Sequence, residues 1–312
     1  MSDLRNANST VSSLKRKAKD SMIVPSKRLR FNGFYLVQNW SLPYLTIIYY
    51  IATKCSSSNV YQKLIKSCKY FFAKNPLSIC KDLFYCEGEW LMNDGDPKDL
   101  GYNDSSKRYW ITHALYVTPI FCNKQYPRIF CTQQDLASLI LPKIYQCDAT
   151  EVYIKNQIVF CDEIMIIGSK AEKVNFHSVT VQQRDGTLVP LEKLVQLFPK
   201  LRSFSYNSPT ISSETFKNLL QIPHFLAMDQ FQLHNVSENF DIECFYDYMK
   251  INNRTQFRLN FATPISHAYK DRLNQIIDEI IQTTNHGYKP AFITFRYCSR
   301  EKFYNLLAIV NR

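Results

Sequence analysis

Glycine is scarce, seven residues in 312. Loops that cradle phosphates or dinucleotides need several glycines close together, and neither G-x-G-x-x-G nor G-x-x-x-x-G-K-[ST] occurs, which sets nucleotide-dependent chemistry aside. The ten cysteines (55, 68, 80, 86, 122, 131, 147, 161, 244, 298) include no C-x-x-C pair. Neither a zinc ribbon nor a compact disulfide framework is indicated, and free thiols in a reducing compartment are the reading. The six histidines, at 113, 177, 224, 234, 267 and 286, form no H-E-x-x-H and no helix-spaced pair around a carboxylate. No serine lies in a G-x-S-x-G elbow, so an enzyme, a bound metal and a resident cofactor are not expected. Long hydrophobic runs are missing too. The longest, Leu42 to Ala52, is interrupted by Pro43 and falls short of the roughly 20 residues that span a bilayer. The polar start from Met1 to Ser13 lacks the apolar stretch of a secretory signal, so no membrane association is expected.

What is present is apolar and aromatic. A hydrophobic share of 46%, with 14% aromatic, is enough to bury a substantial core, so the body of the chain is not a disordered polymer. The net charge of +11 invites a nucleic-acid reading, but residues 1 to 30 hold eight Lys/Arg against two Asp, a net +6. The body is mildly basic and the excess sits in a tail. Residues 1 to 33, polar and without a sustained period, read as a disordered basic tail. Within it Lys15-Arg16 and Lys27-Arg28-Leu29-Arg30 are separated by ten residues, which extended chain spans in about 30 Å. Two basic clusters so spaced suit two acidic grooves of a nuclear-import receptor, with Lys15, Arg16, Lys27, Arg28 and Arg30 as contacts. The expected location is nuclear or nucleocytoplasmic.

Residues 34 to 85 read as a helical segment. Ser41 is placed to cap a helix that opens on Leu42-Pro43 and carries Ile47, Ile48 and Ile51 at helical spacing. After a break at 55–59, Val60, Leu64, Cys68, Phe71 and Phe72 mark a second amphipathic helix. Residues 86 to 148, with Trp90, Trp110, the turn-like Asn93-Asp94-Gly95-Asp96-Pro97 and a helix near 133–140 stopped by Pro142, read as a helical linker or capping region.

From Ala149 onward one spacing recurs: a residue, then three positions later an apolar-x-apolar core. It reads Ala149…Val152-x-Ile154, Ala171…Val174-x-Phe176, Leu201…Phe204-x-Tyr206, Met228…Phe231-x-Leu233, Arg254…Phe257-x-Leu259 and Pro290…Ile293-x-Phe295. The anchors lie 22, 30, 27, 26 and 36 residues apart, too far for hairpins and right for strand-plus-helix units. Helical periodicity fills the intervals: Leu191, Leu194, Val195 and Phe198; Phe216, Leu219 and Leu220 after Ser212 or Ser213; Ile242, Phe245, Tyr246 and Met249 after Asp241; Leu273, Ile276, Ile277 and Ile280. Strand, helix and strand at this length give parallel pairing through crossovers. The expected fold class is α/β, with residues 149 to 312 forming an irregular leucine-rich-repeat-like solenoid. The asparagine usual in such repeats is replaced by Gln157, Val179, Pro209, Val236 and Ala262, so its turns should be irregular.

These residues together resemble the F-box-like and leucine-rich-repeat-like proteins of nematodes. The resemblance rests on Leu42-Pro43, Ile47-Ile48-x-x-Ile51 and Val60-x-x-x-Leu64-x-x-x-Cys68-Lys69-x-Phe71-Phe72, which look like a degenerate F-box. It continues through Leu141-Pro142-Lys143-Ile144-Tyr145-Gln146-Cys147-Asp148, Val189-Pro190-Leu191-Glu192-Lys193-Leu194 with Phe198-Pro199-Lys200-Leu201, and Asn239-Phe240-Asp241-Ile242. As a class such proteins recruit substrates to Skp1–cullin ubiquitin ligases. The resemblance implies that Leu42, Pro43, Ile47, Ile48, Ile51 and Leu64 face a Skp1-like adaptor protein while the repeats hold a protein substrate. A repeat scaffold that binds a protein without ligase coupling is the alternative, with nucleic acid a weaker third.

Overall fold

The computed structural model describes residues 50–51, 54–55, 57–86, 89–93, 97–99, 108–118, 120–123, 126–130 and 134–311. The basic tail with its import residues, and Leu42, Pro43, Ile47 and Ile48, lie outside these. Helices α1 (Ser58–Ser67) and α2 (Lys69–Lys74) occupy the place of the expected second helix, which is interrupted at Cys68 by extended backbone (φ −154°, ψ 128°). The buried stripe is also displaced by one residue. Tyr61 is fully buried and packs with Leu77 and Trp110, with Ile65 alongside, whereas Val60 and Phe72 stay about half exposed. The Tyr61 hydroxyl donates to the Asn75 carbonyl and accepts from Leu77 N–H, so this aromatic position fixes the helix against the strand that follows.

Residues 77 to 130 correct the helical expectation for this region. They form strands β1 (Leu77–Cys86), β2 (Glu89–Asn93), β3 (Pro97–Asp99), β4 (Arg108–Val117), β5 (Ile120–Asn123) and β6 (Tyr126–Phe130). β-branched and aromatic residues dominate β4, Tyr109-Trp110-Ile111-Thr112 continuing to Tyr116-Val117, and these fit a pleated surface better than a helix. β2 and β3 pair antiparallel, and Asp94-Gly95-Asp96 of the turn read between them lie outside the described residues. The short helix α3 (Leu136–Ile140) and a 3₁₀ turn at Leu141–Lys143 agree with the stop read at Pro142. β7 (Ile144–Cys147) then pairs with the first half of β4.

The six expected repeat strands are all present. β8 (Glu151–Lys155), β9 (Ile158–Phe160) and α4 (Cys161–Gly168) form the first unit, and β10 (Lys173–His177), β11 (Thr180–Gln182) and α5 (Leu191–Gln196) the second. β12 (Ser203–Asn207) leads to α6 (Thr215–Leu220) and α7 (Pro223–Leu226), and β13 (Gln230–Val236) to α8 (Ile242–Ile251). β14 (Gln256–Phe261) with α9 (His267–Gln282) and β15 (Phe292–Phe295) with α10 (Arg300–Val310) complete the series. Every neighbouring pair from β8 to β15 in the sheet order β15-β14-β13-β12-β10-β8-β4-β1-β2-β3 is parallel. The chain is thus α/β, built on one mostly parallel sheet. β4 and β1 extend it, also parallel, before the antiparallel β2 and β3.

One hydrogen-bond motif fixes the strand starts. The Thr150 carbonyl accepts from both Glu172 and Lys173 N–H (2.8 and 2.9 Å), Glu172 from Arg202 and Ser203 (2.8 and 2.9 Å), and Arg202 from Asp229 and Gln230 (2.8 and 3.1 Å). The strand ends are equally regular. Two residues past the second core position the chain turns through positive φ in five of the six units: Asn156 (50°), Ser178 (53°), Ser208 (63°), Asn235 (55°) and Tyr297 (72°). This left-handed turn replaces the asparagine pattern sought one residue later. Gln157 alone there acts as a polar loop anchor, buried, accepting from Ala137 N–H and donating to the Asn156 carbonyl.

Alternation sorts the strands into two faces. Val152, Ile154, Val174, Phe176, Phe204, Tyr206, Phe231, Leu233, Phe257 and Leu259 are buried under the helices in one continuous core. The recurrent anchors Ala149, Ala171, Leu201 and Met228 are buried as well. In the last two units the spacing shifts: Thr255 and Ala291 take the buried position instead of Arg254 and Pro290. The helices are capped as read at Asp241, whose carboxylate accepts from Cys244 N–H at 3.0 Å. Glu214, rather than Ser212 or Ser213, precedes α6.

Cys55, Cys68, Cys80, Cys147, Cys161, Cys244 and Cys298 are free thiols. Cys147 is buried, and burial pushes its thiol up to about 11. Iodoacetamide under native conditions should therefore modify exposed Cys68 and spare Cys147, as peptide mass spectrometry would show. The folded state keeps the Cys147 proton longer than the unfolded chain does. Its contribution to stability is complete below about pH 9 and lost as the pH rises towards 11, and Cys147→Ala should flatten that part of the pH–stability curve.

Candidate functional site

The second face of the repeat sheet carries the residues between the core positions. The helices lie on the other side of β8 to β13, and α10 reaches this face only at the β15 edge, where Phe303 meets Phe292 at 5.3 Å and Asn311 accepts from Arg258 at 3.1 Å. The strand registers align them in three rows. At the strand starts the first row is tied together internally. Lys173 Nζ bonds Glu151 at 2.8 Å, Ser203 Oγ donates to Gln230 Oε1 at 3.3 Å, and Gln256 Nε2 donates to the Pro290 carbonyl at 2.9 Å. The bond to Glu151 holds the Lys173 ammonium above its ordinary range.

The middle row is different. Tyr153, Asn175, Ser205 and Gln232 stand side by side on four strands, about 4.8 Å from one to the next. Among the described residues, the side chains of Asn175, Ser205 and Gln232 have no hydrogen-bond partner within the chain. Short Ser205 and Asn175 between larger neighbours leave a hollow of about 240 Å³, walled on one side by Tyr116 and Tyr153 and on the other by Gln230 and Gln232. The two tyrosine rings lie 6.3 Å apart and tilted. Burial, then the nearby Glu151 carboxylate, raises the Tyr116 phenol above its usual range. Asn175, Ser205 and Gln232 together offer donors and acceptors of both kinds beside an aromatic wall, the composition of a recognition surface.

The third row, at the strand ends, is Lys155, His177, Asn207 and His234. Asn207 Oδ1 accepts from Asn235 Nδ2 (2.7 Å) and Ser208 Oγ (2.9 Å). Burial and, second, the charge of His177 two strands away lower the His234 imidazole below its ordinary value. No family model, curated protein or solved structure matches this chain, so the function is argued from these residues alone.

The residues assigned to a Skp1-like partner are divided. Ile51 is 40% exposed and Leu64 half-buried; the other four lie outside the described residues, as do the five import residues. The histidines serve different ends. His224 Nε2 and His286 Nε2 meet the carbonyls of Val195 (3.0 Å) and Ile280 (2.9 Å), positions of packing. His113 Nδ1 meets Asp82 Oδ1 at 2.7 Å, a pairing between β4 and β1 that no sequence spacing announces. Among the described residues no three His, Cys, Asp or Glu cluster as metal ligands would, and no helix is long and apolar enough to cross a membrane. The face residues themselves were legible in principle, since each is the x of an apolar-x-apolar core.

Proposed function

We propose that the chain is a protein-interaction module: a leucine-rich-repeat-like array that holds its partner on the uncovered face of the parallel sheet. The observation that carries this reading is the middle row, whose polar side chains are free while the row at the strand starts is hydrogen-bonded to itself. A partner that supplies the missing hydrogen bonds gains them against a surface already ordered by the strands, at little cost in side-chain freedom. In affinity capture with the full chain, Tyr153→Ala/Asn175→Ala/Gln232→Ala should reduce recovery of bound proteins about tenfold or more. Met165→Ala/Asp271→Ala on the helix side should leave it unchanged, and neither variant should alter the melting transition. Equal recovery with both variants would sink the assignment.

A second reading, a substrate-recruiting adaptor of a Skp1–cullin-type ubiquitin ligase, is favoured by apolar exposure before the sheet. Ile51, Val60 and Phe72 are 40, 50 and 49% exposed, and apolar side chains so presented suit a helical partner. Pull-down with a purified Skp1-like protein tests it directly. Ile51→Glu should abolish capture with the array still folded; failure of the unmodified chain to bind leaves the scaffold reading.

A further inference from the structure

We infer that the rim of the open face at the strand ends takes an acidic segment of the partner protein, with Lys155, His177 and His234 meeting its carboxylates. This rests on the open face being the binding surface and adds the chemistry of what it binds. Lys155 and His177 are direct neighbours across β8 and β10, and His234 follows across Asn207. The row therefore presents three groups that carry or can acquire positive charge across four strands, about three strand spacings.

Among the described residues no carboxylate answers them. The groups packed around the row are Ser178, whose hydroxyl lies 3.4 Å from His177 Nδ1, and Asn207, Ser208 and Asn235 on the neighbouring turns; Arg258 on β14, itself cationic, stands one row away beside Gln232. Glu238, the first acid past His234 in the chain, is engaged with Ser266 N–H at 2.7 Å. The one acid in the three rows, Glu151, is at the opposite end of its strand and paired with Lys173. The helix side differs: there Arg184 pairs with Asp162, Arg272 with Glu243 and Lys302 with Asp278. Unanswered cationic groups beside the free amide and hydroxyl row suit a peptide, whose backbone amides can use Asn175 and Gln232 while its carboxylates reach the rim. A nucleic acid strand would call for more phosphate contacts than three and a longer series of stacking rings than Tyr116 and Tyr153.

The pH dependence has a definite sign. His234 is held below the ordinary imidazole range by burial and His177, so near neutrality it is mostly uncharged. Acidification charges it and should tighten binding down to the range where the peptide's own carboxylates protonate. The test uses the full chain and a fluorescein-labelled peptide of alternating glutamate and serine. Its glutamine counterpart and single-stranded oligothymidylate are the comparison probes, all read by anisotropy between about pH 8 and pH 6. The glutamate peptide should bind, tighten on acidification, and lose about tenfold in affinity with His177→Ala/His234→Ala or Lys155→Glu. Neutralising Lys15, Arg16, Lys27 and Arg28 to Gln should leave the pH dependence in place, separating the rim from the basic tail. Equal binding of the glutamine peptide, oligothymidylate binding in its stead, or insensitivity to the rim variants overturns the proposal. Partner capture that still depends on the middle row in that event keeps the open face and rejects its acidic specificity, whereas loss of both rejects the face.

Discussion

Phe231→Ala should lower the free energy of unfolding by about 3–5 kcal/mol, read as a shift in the urea midpoint. Phe231 is fully buried at the centre of β13, and its ring meets Phe225 at 5.1 Å, Phe204 at 5.7 Å and Phe257 at 6.0 Å. Each of those rings belongs to a neighbouring strand or to the helix between, so truncation leaves a cavity that three units share. A chain whose units touch mainly their neighbours should also lose cooperativity at that junction. A broadened or two-step transition would accompany the shift. A loss under about 1 kcal/mol would show that the core there collapses freely, contrary to a close-packed aromatic row.

Asn252→Leu should cost about 2–4 kcal/mol although it adds apolar volume. Asn252 is buried after α8 and acts as a clamp on the next strand's approach: its Oδ1 accepts from Thr255 N–H at 2.9 Å and its Nδ2 donates to the Thr255 carbonyl at 2.7 Å. Leucine would leave both Thr255 backbone groups unpaired in the interior, and no water reaches them without opening the turn. Asn252→Asp keeps the acceptor and loses the donor, so it should fall between the two. Thermal melts of the three proteins order them, and a leucine variant as stable as the original would refute the clamp.

Much of the array was legible because its signal is local and repeated. Apolar-x-apolar cores with a buried residue three positions earlier placed β8, β10, β12, β13, β14 and β15, and the absence of hairpin spacing implied their parallel pairing. The anchors at Arg254 and Pro290 misplaced the buried position by one, since Thr255 satisfies its hydroxyl on the Met228 carbonyl and can occupy a core site that the pattern reserved for an apolar residue. The region before the array was not legible in this way. β1 and β4 each bury residues on both faces, Trp110 under α1 and Tyr109 and Ile111 in the main core, so neither strand shows clean alternation. A bulge between Cys80 and Asp82 breaks the period further. The binding face was hidden for a different reason. Which x residues remain free depends on cross-strand partners 22 to 34 positions away, as Lys173 with Glu151 and Gln256 with Pro290 illustrate.

The doubly accepting carbonyls of Thr150, Glu172 and Arg202 separate two lengths that are usually bound together. Each sets where the next strand begins regardless of how many residues intervene, and the intervals differ accordingly. Lengthening a connection on the helix side costs closure entropy that grows slowly, about 0.6 kcal/mol for each doubling. The outer contour can therefore drift by insertion and deletion while the spacing of Tyr153, Asn175, Ser205 and Gln232 remains that of the hydrogen-bonded sheet. Change in partner specificity in such a chain would come by point substitution within the rows, and change in girth by indels that the binding face does not register.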